Sequence, residues 1–279
     1  MDFFKNIRDE LLRITNSPDE SIDLIGAAMV IARTSYPHLD EAFYRQYLET
    51  LANRFQSSLN RSDQPMEMIN KLNRILFDEE GFQGNQHAYF DPDNSFLNRV
   101  IDRKLGIPIT LSLIYIEVGR LAGLNLSGIA LPGHFIAAFF FQSERILLDP
   151  FNKAKVLSEK ECQILVSSRL SQKDNVNALR LTPAKPKEIL IRMLRNLKAI
   201  YLHSNNDLKT FEMLNWILIL NPDAAEERLE RGLRYEALGN NDQAVRDFER
   251  YLELAFKPEN TDEIQSKIER LKKQTTWIH

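Results

Sequence analysis

His134 and Asp149 are the residues whose context points most directly to chemistry. His134 sits in Leu131-Pro132-Gly133-His134-Phe135, at the mouth of an apolar stretch, and Asp149 sits in Leu147-Leu148-Asp149-Pro150-Phe151, at the end of the next. A carboxylate beside an imidazole fixes its tautomer and raises its basicity, the arrangement that orients a general base in acyl transfer. If the intervening hairpin turns at Gln142-Ser143, Asp149 faces Ile136 and is the diagonal same-face neighbour of His134. A turn at Ser143-Glu144 keeps the face but slides Asp149 two residues further away. Diagonal pairs lie about 7 to 8 Å apart at the backbone, within reach of a carboxylate-imidazole hydrogen bond. The plain alternative is a satisfied structural pair at two strand ends.

A His-Asp pair needs a nucleophile to act on. The usual place for one is a helix N-terminus, where the dipole and free N–H groups lower a thiol pKa and stabilise an oxyanion. The apolar helix expected to begin at Pro108 offers Thr110 and Ser112 in its first turns, but no cysteine. A hydroxyl is much less acidic than a thiol, and Ser or Thr in a first turn is common for capping alone. Cys162, the one cysteine, lies downstream of Asp149 in an apparent helix, 158–170, and reads as a half-buried packing residue. His87 and Asp91 have i, i+4 spacing, yet Pro92 and the turn formers around it argue against a helix that would hold a metal there. The glycines never approach a nucleotide-loop spacing. No cofactor and no metal are expected.

The elements that must position these residues follow from periodicity. Glycine is 10 of 279 residues, roughly half the usual share, which leans the chain toward helix. Apolar positions at helical spacing, with their stops and caps, mark helices over 21–33, from Asp40 to about 55, and from Pro65 through Phe77 to Glu80-Gly81. Asn94 or Ser95 is a good cap for a helix over 96–104. The helix over 109–122 is apolar nearly all round, so it should be central. Three short runs rich in Ile, Leu and Phe, 126–131, 135–141 and 145–151, read as strands. Tyr89, Phe90 and Phe139-Phe140-Phe141 read as core or cleft walls. From 158 onward only helices are expected, at 188–203, 207–220, 224–238 and 242–255. The stretch 228–254, hinged at Leu238-Gly239-Asn240-Asn241 with Ala244 and Phe248 inward, has the pattern of a tetratricopeptide-like hairpin, with a degenerate copy at 207–220. The fold class is α+β.

Composition bounds the function classes. A chain with 43% hydrophobic and 27% charged residues and a single cysteine is an ordinary globular protein, not a disulfide-stapled secreted scaffold. The longest apolar run, 107–118, is interrupted by Thr110, Ser112 and Glu117, and Met1-Asp2-Phe3-Phe4-Lys5-Asn6 lacks the regions of a signal peptide. A soluble, cytoplasmic protein with no membrane partner is expected. A net charge of -3 supplies no global field for nucleic acid. The densest cations, Lys185, Lys187, Arg192, Arg195 and Lys198, recur at helical spacing and read as a solvated helix face.

Five ordered motifs carry a family resemblance. They are Gly81-Phe82-Gln83-Gly84-Asn85, the run from Tyr89-Phe90-Asp91-Pro92 through Phe96-Leu97-Asn98, Gly106-Ile107-Pro108-Ile109-Thr110-Leu111-Ser112, Leu131-Pro132-Gly133-His134-Phe135 and Asp149-Pro150-Phe151. Together they resemble the SirB1-type transglutaminase-like family with a tetratricopeptide-like C-terminal region, and the match extends through Leu194-Arg195-Asn196-Leu197-Lys198 and Glu227-Arg228-Leu229-Glu230-Arg231-Gly232. The resemblance implies a papain/transglutaminase-like core with a buried helix and antiparallel sheet. In it a Cys, His, Asp order is read as helix N-terminus, strand, strand. His134 and Asp149 match the last two; the thiol position falls near 108–112 and carries none. Asn152-Lys153-Ala154-Lys155 stands where relatives tend to place glycines.

The expected organisation is a core over 1–182, its helical part about 1–84, and a helical region over 183–279. His134, Asp149, Thr110 and Ser112 form the candidate remnant site, with Asn94, Ser95, Pro108 and Tyr89 lining the cleft. Two functions compete: a catalytically degenerate module binding a protein or peptide through the cleft and C-terminal helices, and a hydrolase or acyltransferase in which His134 activates Thr110, Ser112 or water. The missing thiol favours the first.

Overall fold

The computed structural model describes residues 2–167, 181–256 and 260–276. The chain forms two compact units, one from Pro18–Met193 and one from Met1–Ser17 together with Leu194–His279.

In the first unit, α2 (Leu24–Arg33) is capped by Asp23, whose carboxylate accepts from Gly26 N at 3.0 Å. α3 (Glu41–Ser58) is capped by Asp40 as its sequence requires. Pro65 opens α4 (Pro65–Asn73), and the chain continues as a wider π-helical turn, Arg74–Glu79, where a regular helix was expected. The short parallel pair β1 (Gln83–Gly84) and β2 (Leu105–Gly106) brackets a 3-10 turn, Pro92–Asn94, and α5 (Leu97–Arg103). Neither Asn94 nor Ser95 caps α5. The N-cap is Phe96, with no side-chain bond, because Asn94 lies inside the preceding turn, which Asp91 caps by accepting from Asp93 N.

α6 (Pro108–Leu121) is the central helix; eleven of its fourteen residues are buried, and only Arg120 and Leu121 in its last turn are exposed. It packs on a four-stranded antiparallel sheet in the order β3 (Leu126–Leu131), β4 (His134–Phe141), β5 (Glu144–Asp149), β6 (Lys155–Leu157). Three of these strands follow the expected runs. β5 stops at Asp149 because Pro150–Asn152 turns into a 3-10 helix, and β6 is too short to show any alternation in sequence. α7 (Glu159–Ser167) buries Cys162 and Val166; the end of the helix expected over 158–170 lies outside the described residues.

In the second unit, α1 (Asp2–Asn16) packs on α9 (Asp207–Leu220), with Thr15 Oγ1 donating to Ile219 O at 3.0 Å. α8 (Pro186–His203) runs through the division at Met193 and Leu194. α10 (Ala225–Ala237) and α11 (Asn241–Leu254) form the expected hairpin, hinged at Gly239 with φ +73, and α12 (Thr261–Thr276) packs against α11. Ala244 and Phe248 point inward and are fully buried. A Cβ on Gly232 would lie 2.7 Å from the Phe248 ring, so glycine is what lets α10 and α11 approach there. No helix among the described residues is long and apolar enough to cross a membrane.

Candidate functional site

β4 and β5 pair with Phe141 opposite Glu144 and Ala137 opposite Leu148, so the hairpin turns at Gln142-Ser143, the nearer of the two registers considered above. His134, the first residue of β4, and Asp149, the last of β5, therefore meet. Nε2 of His134 lies 3.0 Å from Oδ1 of Asp149, with the residues 5% and 1% exposed. The ring nitrogen makes no aligned hydrogen bond, so the contact is one of close charge and dipole rather than a linear N–H···O bond. Asp149 also accepts from Phe151 N at 3.2 Å and from Asn152 Nδ2 at 2.7 Å. Burial by itself raises its pKa; the imidazole first, then Asn152, outweigh burial and hold the carboxyl below its usual value. On its backbone side, His134 O accepts from Arg192 Nη2 of α8 at 2.7 Å, and the His134 ring stands edge-on to Phe151 at 6.2 Å.

The two hydroxyls are otherwise engaged. Thr110 Oγ1 accepts from Ile107 N at 3.1 Å and donates to Asn94 O at 2.8 Å, which uses its one proton. Ser112 Oγ donates to Phe135 O at 3.3 Å. Both side chains are fully buried, and neither hydrogen-bonds to His134. Cys162 lies in the hydrophobic cluster behind the sheet with Ile129, Ile136 and Val166. Burial, reinforced by Glu161 and Asp149, pushes its thiol up to about 11, the opposite of an activated nucleophile.

Of the four residues expected to line a cleft, Asn94, Ser95 and Pro108 are buried, and only Tyr89, 37% exposed, reaches the surface. Asn94 is a clamp: its Nδ2 donates to Ala88 O at 2.7 Å, its Oδ1 accepts from Asn85 Nδ2 at 3.0 Å, and its carbonyl takes the Thr110 hydroxyl. The loop following β1 is thereby fastened to the first turn of α6. Beside the His134-Asp149 pair runs a groove of about 860 Å³, whose walls include Gln83, Gln86 and His87 on one side and Phe151, Asn152 and Lys153 on the other. Lys153 and Ala154 have φ of +54 and +51, the left-handed conformation that glycine would adopt without strain.

Sequence reasoning did not single out Arg192 or Asn152 as partners of the pair. Helical spacing groups Arg192 with a solvated basic face, but that face is largely paired: Arg195 binds Glu227 at 2.7 and 3.0 Å, Lys198 binds Glu230 at 2.5 Å, and Lys185 and Lys187 each lie 3.9 Å from Asp19. Its helical spacing was a usable signal, but the partners are distant in sequence.

The transglutaminase-like superfamily core model matches residues 42–195, and a tetratricopeptide-repeat model matches 197–269. A UPF0162 protein of Xylella fastidiosa (strain 9a5c) is 35% identical over 94% of this chain and 94% of its own length. A UPF0162 protein of Vibrio cholerae is 24% identical over 87% of this chain and 90% of its own length. F-box only protein 21 of Homo sapiens is 28% identical over 62% of this chain and 28% of its own length.

Proposed function

The chain belongs to the UPF0162 family of transglutaminase-like proteins, and from that premise we propose that it is a member without turnover, a module that binds a protein or peptide segment. The observation that carries this reading is the engagement of Thr110 and Ser112 with backbone carbonyls instead of His134. A general base works only within hydrogen-bond reach of the proton it takes, and the one thiol is buried and made more basic. The His134-Asp149 pair then serves as a structural tie between the ends of β4 and β5. Tetratricopeptide repeats are interaction scaffolds in general, and the helical unit has an apolar recess of about 490 Å³ lined by Leu208, Phe211, Leu233 and Leu238. Leu208 is 86% exposed and Leu238 66%, an arrangement suited to taking apolar side chains of a partner.

Two measurements test the reading. Purified chain is incubated with an activated ester, and with a glutamine-containing peptide plus an amine; the expected result is no turnover above that of the His134→Ala variant. Turnover that depends on His134 would establish the hydrolase or acyltransferase alternative, which the retained His134-Asp149 contact favours; its loss in Thr110→Ala or Ser112→Ala would name that hydroxyl as nucleophile, and its persistence in both would name water. Separately, partners captured by the wild type should be retained by Thr110→Ala and Ser112→Ala but lost by the Leu208→Glu, Leu238→Glu double variant. Full retention by the double variant removes the helical recess as a partner surface.

A further inference from the structure

We propose that the groove between the β1 loop and the Pro150–Asn152 turn takes an extended, carboxylate-bearing segment of a partner protein, with Lys153 as its anion contact. This rests on the reading of the chain as a peptide-binding module and specifies the chemistry of what is bound.

Charge is the first support. None of the eleven residues lining the groove is Asp or Glu, in a chain where 39 of 279 residues are, whereas His87, Arg103 and Lys153 all line it. Arg103 is answered from behind: its Nη2 binds Asp91 at 2.6 Å, and its Nη1, buried without a hydrogen bond, is 3.4 Å from Asp93. Lys153 is exposed and has no ion-pair partner among the described residues. A cation left over in a wall without carboxylates favours an anionic partner.

The backbone is the second support. Lys153 and Ala154 are consecutive residues at positive φ, a conformation that glycine relieves and that side-chain-bearing residues adopt at a cost. The lysine held there is exposed in the groove wall, immediately after Asn152, whose amide is fixed on Asp149 at 2.7 Å. The remaining wall chemistry suits a peptide: Gln83 and Gln86 offer amide donors and acceptors, and Phe151 offers a ring face. Tyr89 stands edge-on to Phe151 at 6.2 Å. Gly84 forms the floor, since a Cβ there would lie 2.6 Å from the Phe151 ring. A nucleic-acid strand would need several unpaired cations along its phosphates, and the groove has one ammonium without a partner.

The test is fluorescence anisotropy with a labelled, acetylated Glu-Phe-Glu-Gly-Glu-Phe-Glu peptide, its analogue with Gln for every Glu, and single-stranded oligothymidylate. Binding of the acidic peptide should weaken about tenfold in K153E and about threefold in K153G, persist in K153R, and decline with added salt. K153G should at the same time melt at a higher temperature than the wild type, so its loss of binding is not a loss of fold. Unchanged affinity in K153E overturns the inference. Equal binding of the glutamine analogue also overturns it while leaving a charge-indifferent peptide site standing. Absence of binding by either peptide removes the groove as a peptide site altogether. Tighter binding of oligothymidylate than of the acidic peptide assigns the groove to nucleic acid instead.

Discussion

Asp149 in the sheet-bearing unit and Asp247 in the helical unit are both almost excluded from water, at 1% and 2% exposure, yet they are satisfied by different kinds of group. Asp149 ends a strand and begins a 3-10 turn, where backbone N–H groups are not spent on a ladder. It accepts from Phe151 N and from the neutral Asn152 amide, with His134 alongside. Asp247 lies within α11, where the backbone N–H groups are consumed by the helix itself, so its charge is answered by side chains from α10. Arg231 grips both of its oxygens at 2.7 and 2.8 Å, and Arg228 adds a bond at 3.0 Å. Arg231 is itself fixed by Asn215 at 2.9 Å. The carboxylate at the strand end is held by an imidazole, a neutral amide and a backbone N–H; the one between two helices is held by guanidinium groups. The His134-Asp149 site is therefore mainly local, and the helical hairpin depends on charges that neither helix could neutralise by itself.

The largest effect is expected at Asp247. Asp247→Ala leaves two part-buried arginines without their acceptor and should cost about 3 to 5 kcal/mol in urea denaturation; a loss below about 1 kcal/mol would mean that the helical unit does not depend on this cluster. Gly232→Ala comes next, at about 1 to 3 kcal/mol, because the added carbon meets the Phe248 ring at 2.7 Å and Asp247 Cβ at 3.4 Å. A neutral result there would show that the hairpin can open without losing its ion pairs.

Asp149→Asn should cost about 1 to 2 kcal/mol at neutral pH, less than Asp247→Ala, since most of its partners are neutral. Its pH dependence has a definite sign. The folded-state pKa of Asp149 lies below the ordinary value of 3.8, so its contribution is present above that value and is lost as pH falls through the folded-state value. The stability gap between wild type and Asp149→Asn should narrow in that acid window, and a gap that widens on acidification would reverse the assignment. The smallest effect is at Cys162, which packs in the cluster behind the sheet. A thiol reagent at pH 8 should leave it unmodified in the folded protein and label it in denaturant; labelling of the native chain at the denatured rate would place it in an open site instead.

Much of the scaffold was legible because its signals are local. β3 and α9 occupy their expected spans, Asp40 caps α3, Pro65 and Pro108 open α4 and α6, and the apolar circumference of α6 marks it as central. The readings that failed depended on competition between local options. Asn94 is a good cap by type, but its amide does more by bridging Ala88 and Asn85, and the 3-10 turn places it two residues before the N-cap position at Phe96. β6 is three residues long and exists because β5 offers it an edge. α1 reads as the start of the N-terminal unit yet packs on α9, some two hundred residues away, a contact no window of sequence contains.

By itself, the sequence determined the α+β order of elements, the helical hairpin, the absence of a thiol ahead of the His and Asp, and the possibility that His134 and Asp149 meet. These follow from periodicity, turn chemistry and residue identity, all of which act over a few positions. Tertiary structure alone decided that the hairpin turns at Gln142-Ser143 so that the pair closes to 3.0 Å, that Thr110 and Ser112 give their protons to backbone carbonyls, and that Arg192 holds the His134 carbonyl. The physical reason is that a hydroxyl or guanidinium satisfies whichever acceptor packing brings nearest, and that acceptor is set by folding rather than by neighbours in the chain.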